Sequence, residues 1–153
     1  MDLSTSAGRL AFLKTHPYLR GMPEPIMESL LREGTVVTFK RGDTLVRQGE
    51  VADVAYLIAS GTAMGATLPG SRQLTMHHWV GELGALLDDP VKRVTTITVT
   101  SEELVALCFS FEALRAHSSY LLRYFYALAV AYVQADAEAA QVMSPHHLDR
   151  PDE

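Results

Sequence analysis

Cysteine occurs once in these 153 residues, at Cys108. A single thiol excludes an internal disulfide and suits a reducing compartment, so a cytoplasmic location is expected. Cys108 stands in the apolar run Leu104 to Phe109, where a buried thiol is expected. No apolar stretch reaches the roughly 18–20 residues that cross a bilayer. The N-terminus also lacks the basic-then-apolar order of a secretory leader, so no membrane partner is expected. Basic residues come as singles and pairs, 13 Lys and Arg against 18 Asp and Glu, for a formal net charge of −5. A nucleic-acid surface needs a basic stripe, and none is present, so no nucleic-acid partner is expected. No Ser/His/Asp set, Cys/His pair or Walker-type loop can be traced, and the six histidines are scattered. The expectation is a protein that is not an enzyme, with no catalytic residues.

What is present is an ordinary globular composition, 48% apolar and 20% charged. At this length one domain with a real core is expected. Residues 1–8 are small and polar and read as frayed. Leu10, Phe12 and Leu13 mark a short helix before His16-Pro17, and Pro25 to Arg32 a second one that Gly34 stops. From Thr35 the period becomes two. Thr35–Phe39, Thr44–Val46, Val54–Ile58 and Thr62–Met64 read as strands, punctuated by Gly42-Asp43, Gly49-Glu50, Gly61 and Pro69-Gly70. Arg72 to Trp79 continues the pattern, and Arg93 to Thr100 and Leu104 to Phe109 resume it after an interruption.

After Ser110 the pattern is helical. Phe111 to Ala116 is short, and Ser119 is the N-cap candidate of a long helix running to about residue 141. Leu121, Phe125, Leu128, Tyr132, Ala135, Ala139 and Val142 follow the spacing of a coiled-coil seam. Leu122, Tyr126, Ala129 and Val133 form a second stripe. Two stripes exceed what one packing partner needs, so one is expected on the strands and the other on a second copy of the chain, giving a homodimer through the C-terminal helix. Residues 143–153 read as a disordered tail. The fold class expected is α+β, mainly β: an antiparallel β-barrel or jelly roll of short strands, with N-terminal helices, a one-turn helix interrupting the strands and a long C-terminal helix.

The interruption carries the chemistry. Val80-Gly81-Glu82-Leu83-Gly84-Ala85-Leu86-Leu87 is followed across an acidic loop by Lys92-Arg93. Backbone amides at a helix start and a guanidinium suit an anionic phosphate. An ionised carboxylate, acceptor only, suits a sugar hydroxyl. His77-His78 raises a metal reading of the cupin kind, but adjacent strand residues face opposite ways, so no metal is expected. Trp79 reads as core.

This order of elements resembles the cyclic nucleotide-binding domain, the sensor module of catabolite-activator-type regulators, cyclic-nucleotide-dependent kinases and cyclic-nucleotide-gated channels. Phe39 to Glu50 looks like the family's first hairpin, Ala52 to Gly61 its next strand and turn, and residues 81–93 its phosphate-binding cassette. The resemblance implies a domain over residues 18–142, with 1–17 as a helical extension. It implies that Glu82 accepts from the ribose 2′-hydroxyl, that Gly81, Leu83 and Gly84 offer amides to the cyclic phosphate, and that Arg93 pairs with its charge. Arg123 and Tyr124 are candidates for a lid over the base, with Gln134 and Asp136 as further ones. The cassette departs from the family's pattern: Val91 and Lys92 lengthen the loop after Pro90, Val94 has no hydroxyl, and Thr95 or Thr96 would have to supply one. Asp88 and Asp89 add negative charge. The ligand implied is cAMP or cGMP, with no other cofactor, and the partners implied are that nucleotide, a second copy and an effector protein. Two other readings stay open: a dimeric scaffold of this fold that binds no nucleotide, and a small barrel enzyme with a bound metal.

Overall fold

The computed structural model describes residues 2–17, 19–67, 70–86, 91–119, 121–127, 130, 133 and 134. Helix α1 (Ser6–Lys14) begins earlier than its apolar residues suggest. The Thr5 hydroxyl accepts from the Gly8 amide at 2.9 Å, capping the first turn. The Asp2 carboxylate accepts from the Ser4 amide and hydroxyl. The N-terminal residues expected to fray are therefore tied down from Asp2 onward. Helix α2 (Glu24–Arg32) carries Pro25 in its first turn, where a missing N–H costs nothing, and buries Met27, Leu30 and Leu31.

Ten short strands follow among the described residues. One antiparallel sheet has the order β1 (Thr35–Lys40), β10 (Glu103–Ser110), β4 (Val54–Ser60), β7 (Trp79–Val80). A second has β2 (Thr44–Val46), β9 (Ile97–Val99), β5 (Ala63–Thr67), β6 (Gly70–Leu74). β3 (Val51–Ala52) and β8 (Val91–Lys92) form a separate ribbon. Among the described residues this is a jelly-roll sandwich of two sheets, not one closed barrel.

Strand β10 is buried on both faces, which explains its unbroken apolar run. Leu104 and Ala106 face the core between the sheets, with Ile58, Val80 and Ile97. Leu107 and Phe109 face the helices, packed with Phe12, Leu13, Leu30 and Phe125. Cys108, expected buried, is half-buried near the end of the strand, opposite Thr35 and Tyr56. The turn before β5 requires Gly61: it sits at φ 91°, and a Cβ there would collide with the Glu103 carbonyl.

Two expected strands break. Arg72 to Trp79 divides into β6 and β7 around a turn in which the Thr75 amide donates to His78 Nδ1 at 2.7 Å and His77 takes φ 76°. The opposite-face argument for the two histidines therefore does not apply. Among the described residues no group of three or more His, Cys, Asp and Glu could hold a metal ion. Arg93 to Thr100 divides because residues 93–96 bond to the facing loop: the Arg93 amide donates to Glu50 O at 2.7 Å, and the Gln48 amide to Thr96 Oγ1 at 3.0 Å.

Helix α3 (Phe111–Ala116) is capped by the Ser110 hydroxyl. The terminal helical segment begins at residue 118, with the Leu121 amide donating to His117 O, so Ser119 lies inside the helix and does not cap it. Leu121 and Phe125 are buried on the sheet, whereas Leu122, Tyr126, Val130 and Val133 are exposed. Leu128, Ala129, Tyr132, Ala135, Asp136, Ala139, Val142 and the tail 143–153 lie outside the described residues, as do Leu87 to Pro90 of the acidic loop. No described helix is long and apolar enough to cross a membrane.

Candidate functional site

Gly81 ends β7 at φ 81° and turns the chain into a short 3-10 helix, Glu82–Leu86. That turn points Glu82 inward: the side chain is 3% exposed, and its Oε2 has no hydrogen-bond partner. Burial pushes the Glu82 carboxyl upward, opposed by its own backbone amide and by the Arg72 charge. A buried carboxylate oxygen without a partner is costly, so its position is explained by something other than stability.

The turn forms one wall of a cavity of about 390 Å³, a size that suits a small organic ligand. Val46, Ala52, Leu74, Val80 and Ile97 make its floor apolar, and Gly81, Glu82 and Gly84 line one side. Arg72, Lys92, Arg93, Val94 and Thr95 line it too, placing three cations and one acid around a greasy pocket. Such a lining can accept a hydroxyl donor, balance an anion and hold a flat apolar ring.

Most of the expected site residues converge here. Gly81, Glu82, Gly84, Arg93, Val94 and Thr95 line the cavity, and Leu83 lies in the turn between Glu82 and Gly84. Thr95, not Thr96, reaches it, because the Thr96 hydroxyl accepts from Gln48. Val94 is 86% exposed and sits at the mouth. The lid candidates sit elsewhere: Arg123 is exposed with its guanidinium 6.0 Å from the Tyr124 ring, Tyr124 is half-buried against the helical core, and Gln134 is exposed. None of the three lines the cavity.

Arg93 is already engaged. Its Nη2 donates to the Val54 carbonyl at 2.6 Å, and the guanidinium lies 5.9 Å from the centroid of Phe111. Phe111 opens α3 and presses on the 3-10 turn, its ring 2.9 Å from where a Cβ on Gly84 would stand. From the other side, Arg115 Nε donates to the Ala85 carbonyl at 3.1 Å. The turn is thus tied directly to α3. Trp79 also lines the cavity, and its ring meets Phe125 of the terminal helix edge-on at 5.2 Å. These contacts give the cavity two routes to the C-terminal helices.

Sequence reasoning missed Arg72 and left Lys92 without a role. Arg72 reaches the cavity through the β5–β6 register, which sets it opposite Gly65 and which no local pattern of residues announces.

Residues 36–117, more than half of the chain, match the family described as the cyclic nucleotide-binding domain. A curated relative, the Pycsar effector protein RsmPycTIR of Rhodovulum sp. (strain MB263), is 39% identical over 100 residues, which cover 62% of this chain and 38% of that protein. This chain therefore spans well under half of that relative's length. Among solved structures, the regulatory domain of Toxoplasma gondii PKA with cAMP aligns with a TM-score of 0.72 at 20% identity, over 84% of this chain and 51% of that one. The regulatory subunit of a cAMP-independent protein kinase A from Trypanosoma brucei aligns at 0.74 and 19%, over 92% and 50%. These likenesses concern the fold. Together with the buried Glu82, the glycine-led 3-10 turn and Arg93 around one cavity, the family match places this chain in the cyclic nucleotide-binding domain family.

Proposed function

We propose that this chain senses a cyclic mononucleotide, with cAMP the first ligand to test and cGMP the second, and relays occupancy to an effector protein. The observation that carries the reading is Glu82, 3% exposed with Oε2 unpartnered and facing a cavity that Arg93 also lines. A ribose hydroxyl would satisfy the first group, and a cyclic phosphate the second. The match to the cyclic nucleotide-binding family and the likeness in fold to a kinase regulatory domain support a regulatory task, and the partial likeness to a Pycsar effector protein supports a place in an effector system. The lone Cys108 fits a cytoplasmic setting.

In this reading the ligand shifts a population. Arg93 exchanges the Val54 carbonyl and the Phe111 face for the phosphate. Phe111, abutting Gly84, then carries the change into α3, and Trp79 carries it to Phe125. The terminal helix repacks over the base, bringing Arg123 or Tyr124 to the opening. Its exposed stripe, Leu122 at 55%, Tyr126 at 69% and Val133 at 67%, is the surface on which a second copy docks.

A nucleotide-independent dimeric scaffold is the alternative, favoured by Val94 standing exposed at the mouth without a hydroxyl and by the kinship in fold to a cAMP-independent kinase subunit. Calorimetry with cAMP and cGMP decides between the two. Micromolar or tighter binding that disappears in Glu82→Ala and Arg93→Ala supports the sensor, and absence of heat at millimolar nucleotide with folded protein refutes it. Sedimentation of Tyr126→Glu against wild type tests the dimer; an unchanged mass would remove it.

A further inference from the structure

The cavity holds one acid and three cations, and the cations are not equivalent. Arg93 spends its guanidinium on the Val54 carbonyl and the Phe111 ring, within the field of Tyr56, Asp53 and Glu50. Lys92 is exposed at the rim, on the ribbon beside Val51. Arg72 is half-buried on β6, opposite Gly65, and lines the same cavity as Glu82. We infer that Arg72, half-buried in the wall of the same cavity, is the counter-charge that favours the ionised form of buried Glu82 over its neutral acid, and so favours a pure acceptor for a ligand hydroxyl, which makes Arg72 a positioning residue of the site.

The physical need comes from burial. A carboxyl this enclosed drifts toward its neutral form, and a neutral acid offers a weaker acceptor and an unwanted donor. Hydrogen bonds to an ionised acceptor are shorter and roughly twice as strong as neutral ones. Of the charged groups around Glu82, Arg72 is the one whose field opposes its desolvation, and the His78 imidazole is pushed downward first by burial and then by the same field. Arg72 therefore acts through Glu82, with which it shares the cavity lining.

This inference rests on the cyclic-nucleotide reading for its purpose but not for its first test. Carboxyl carbon NMR on glutamate-labelled protein, without added nucleotide, follows the Glu82 titration directly. Arg72→Gln should raise the Glu82 midpoint by about one pH unit or more, and Arg72→Lys should hold it near the wild-type value. Arg72→Met gives the uncharged state again should the glutamine variant fold poorly. A midpoint that stays put in either uncharged variant overturns the inference. The second test uses whichever of cyclic AMP, GMP, CMP and UMP binds wild type most tightly. Arg72→Gln should weaken it about tenfold at pH 7, with the loss shrinking as pH rises toward 9. In a Glu82→Gln background the same change should cost under about twofold, because the shared interaction is already gone. A pH-independent loss that adds fully to Glu82→Gln, or a changed preference among the four bases, would make Arg72 a direct ligand contact and refute the positioning role. If wild type binds none of the four, the sensor reading fails while the NMR titration still decides the Arg72–Glu82 link.

Discussion

Replacing Gly81 by alanine should show how tightly the backbone of the cassette is coupled to Arg93. Gly81 holds φ 81°, where an L-residue costs about 1–2 kcal/mol. A Cβ there would also run into the Arg93 guanidinium. That group ends a flexible side chain, so it would move aside and leave the backbone in place. Moving it forfeits the 2.6 Å bond to Val54 O and the face of Phe111. A charged-donor hydrogen bond is worth about 1.5–3 kcal/mol, reduced toward the lower end because Arg93 is half-exposed, and the ring contact adds about 0.5–1. Gly81→Ala should therefore destabilise the fold by about 3–4.5 kcal/mol in urea unfolding and lower Tm by roughly 6–18 °C. Arg93→Ala loses the same bond without the backbone strain. The double variant should then cost about 2–2.5 kcal/mol less than the sum of the singles. Full additivity, or a Gly81→Ala protein within about 0.5 kcal/mol of wild type, would refute the coupling between the glycine and the arginine.

Three other perturbations probe the surroundings. His16 is fully buried, its Nε2 bonded to the His77 carbonyl at 3.0 Å and its Nδ1 accepting from the Leu19 amide, and burial holds its pKa at about 4. The unfolded chain then takes up the proton more readily, so stability should fall as pH drops from 7, losing about 2 kcal/mol by pH 5 and levelling off below about 4; urea unfolding of wild type against His16→Gln checks it, and equal slopes would refute it. Phe125→Ala empties a site 1% exposed beside Trp79, the sole tryptophan. A loss of about 3 kcal/mol and a red-shifted emission are expected, while Tyr126→Ala on the exposed face should change stability by under about 0.5 kcal/mol. Gly84→Ala would place a methyl 2.9 Å from the Phe111 ring and 3.2 Å from Val91; a cost of about 1–2 kcal/mol and faster amide exchange in α3 are expected, and unchanged exchange there would mean that the 3-10 turn and α3 are not mechanically joined.

The parts legible from sequence were those encoded locally. Strand boundaries at Gly42, Gly49 and Gly61 are backbone requirements: all three sit at positive φ, and a glycine announces that at its own position. Helix α3 is legible from the short helical pattern that follows Ser110, whereas its cap by the Ser110 hydroxyl is seen only in the structure. Gly81-Glu82-Leu83-Gly84 is legible because a glycine, a carboxylate and a one-turn helix lie side by side in the chain. Where a long-range bond overrode local propensity, sequence reading failed. The His77–His78 turn is held by Ile58, whose amide donates to the His78 carbonyl and whose carbonyl accepts from His77. The break after Arg93 is held by Glu50 and Gln48. Neither partner is near in sequence, so an alternating pattern looked like one strand.

The sequence by itself determined the apolar strand β10, the glycine turns, the place of the Glu82 carboxylate after Gly81 and the two apolar stripes of the terminal helix, because each is a periodic or backbone property of neighbouring residues. Only the tertiary structure decided which of those groups share a cavity. It brought Arg72 of β6 to the cavity that Glu82 lines, set Arg93 on Val54 and Phe111, chose Thr95 over Thr96, and left Leu121 and Phe125 buried but Leu122, Tyr126 and Val133 exposed. The reason is physical: hydrogen-bond partners and burial are set by the pairing and packing of distant segments, and a shift of one residue in the β5–β6 pairing would turn Arg72 to the opposite face.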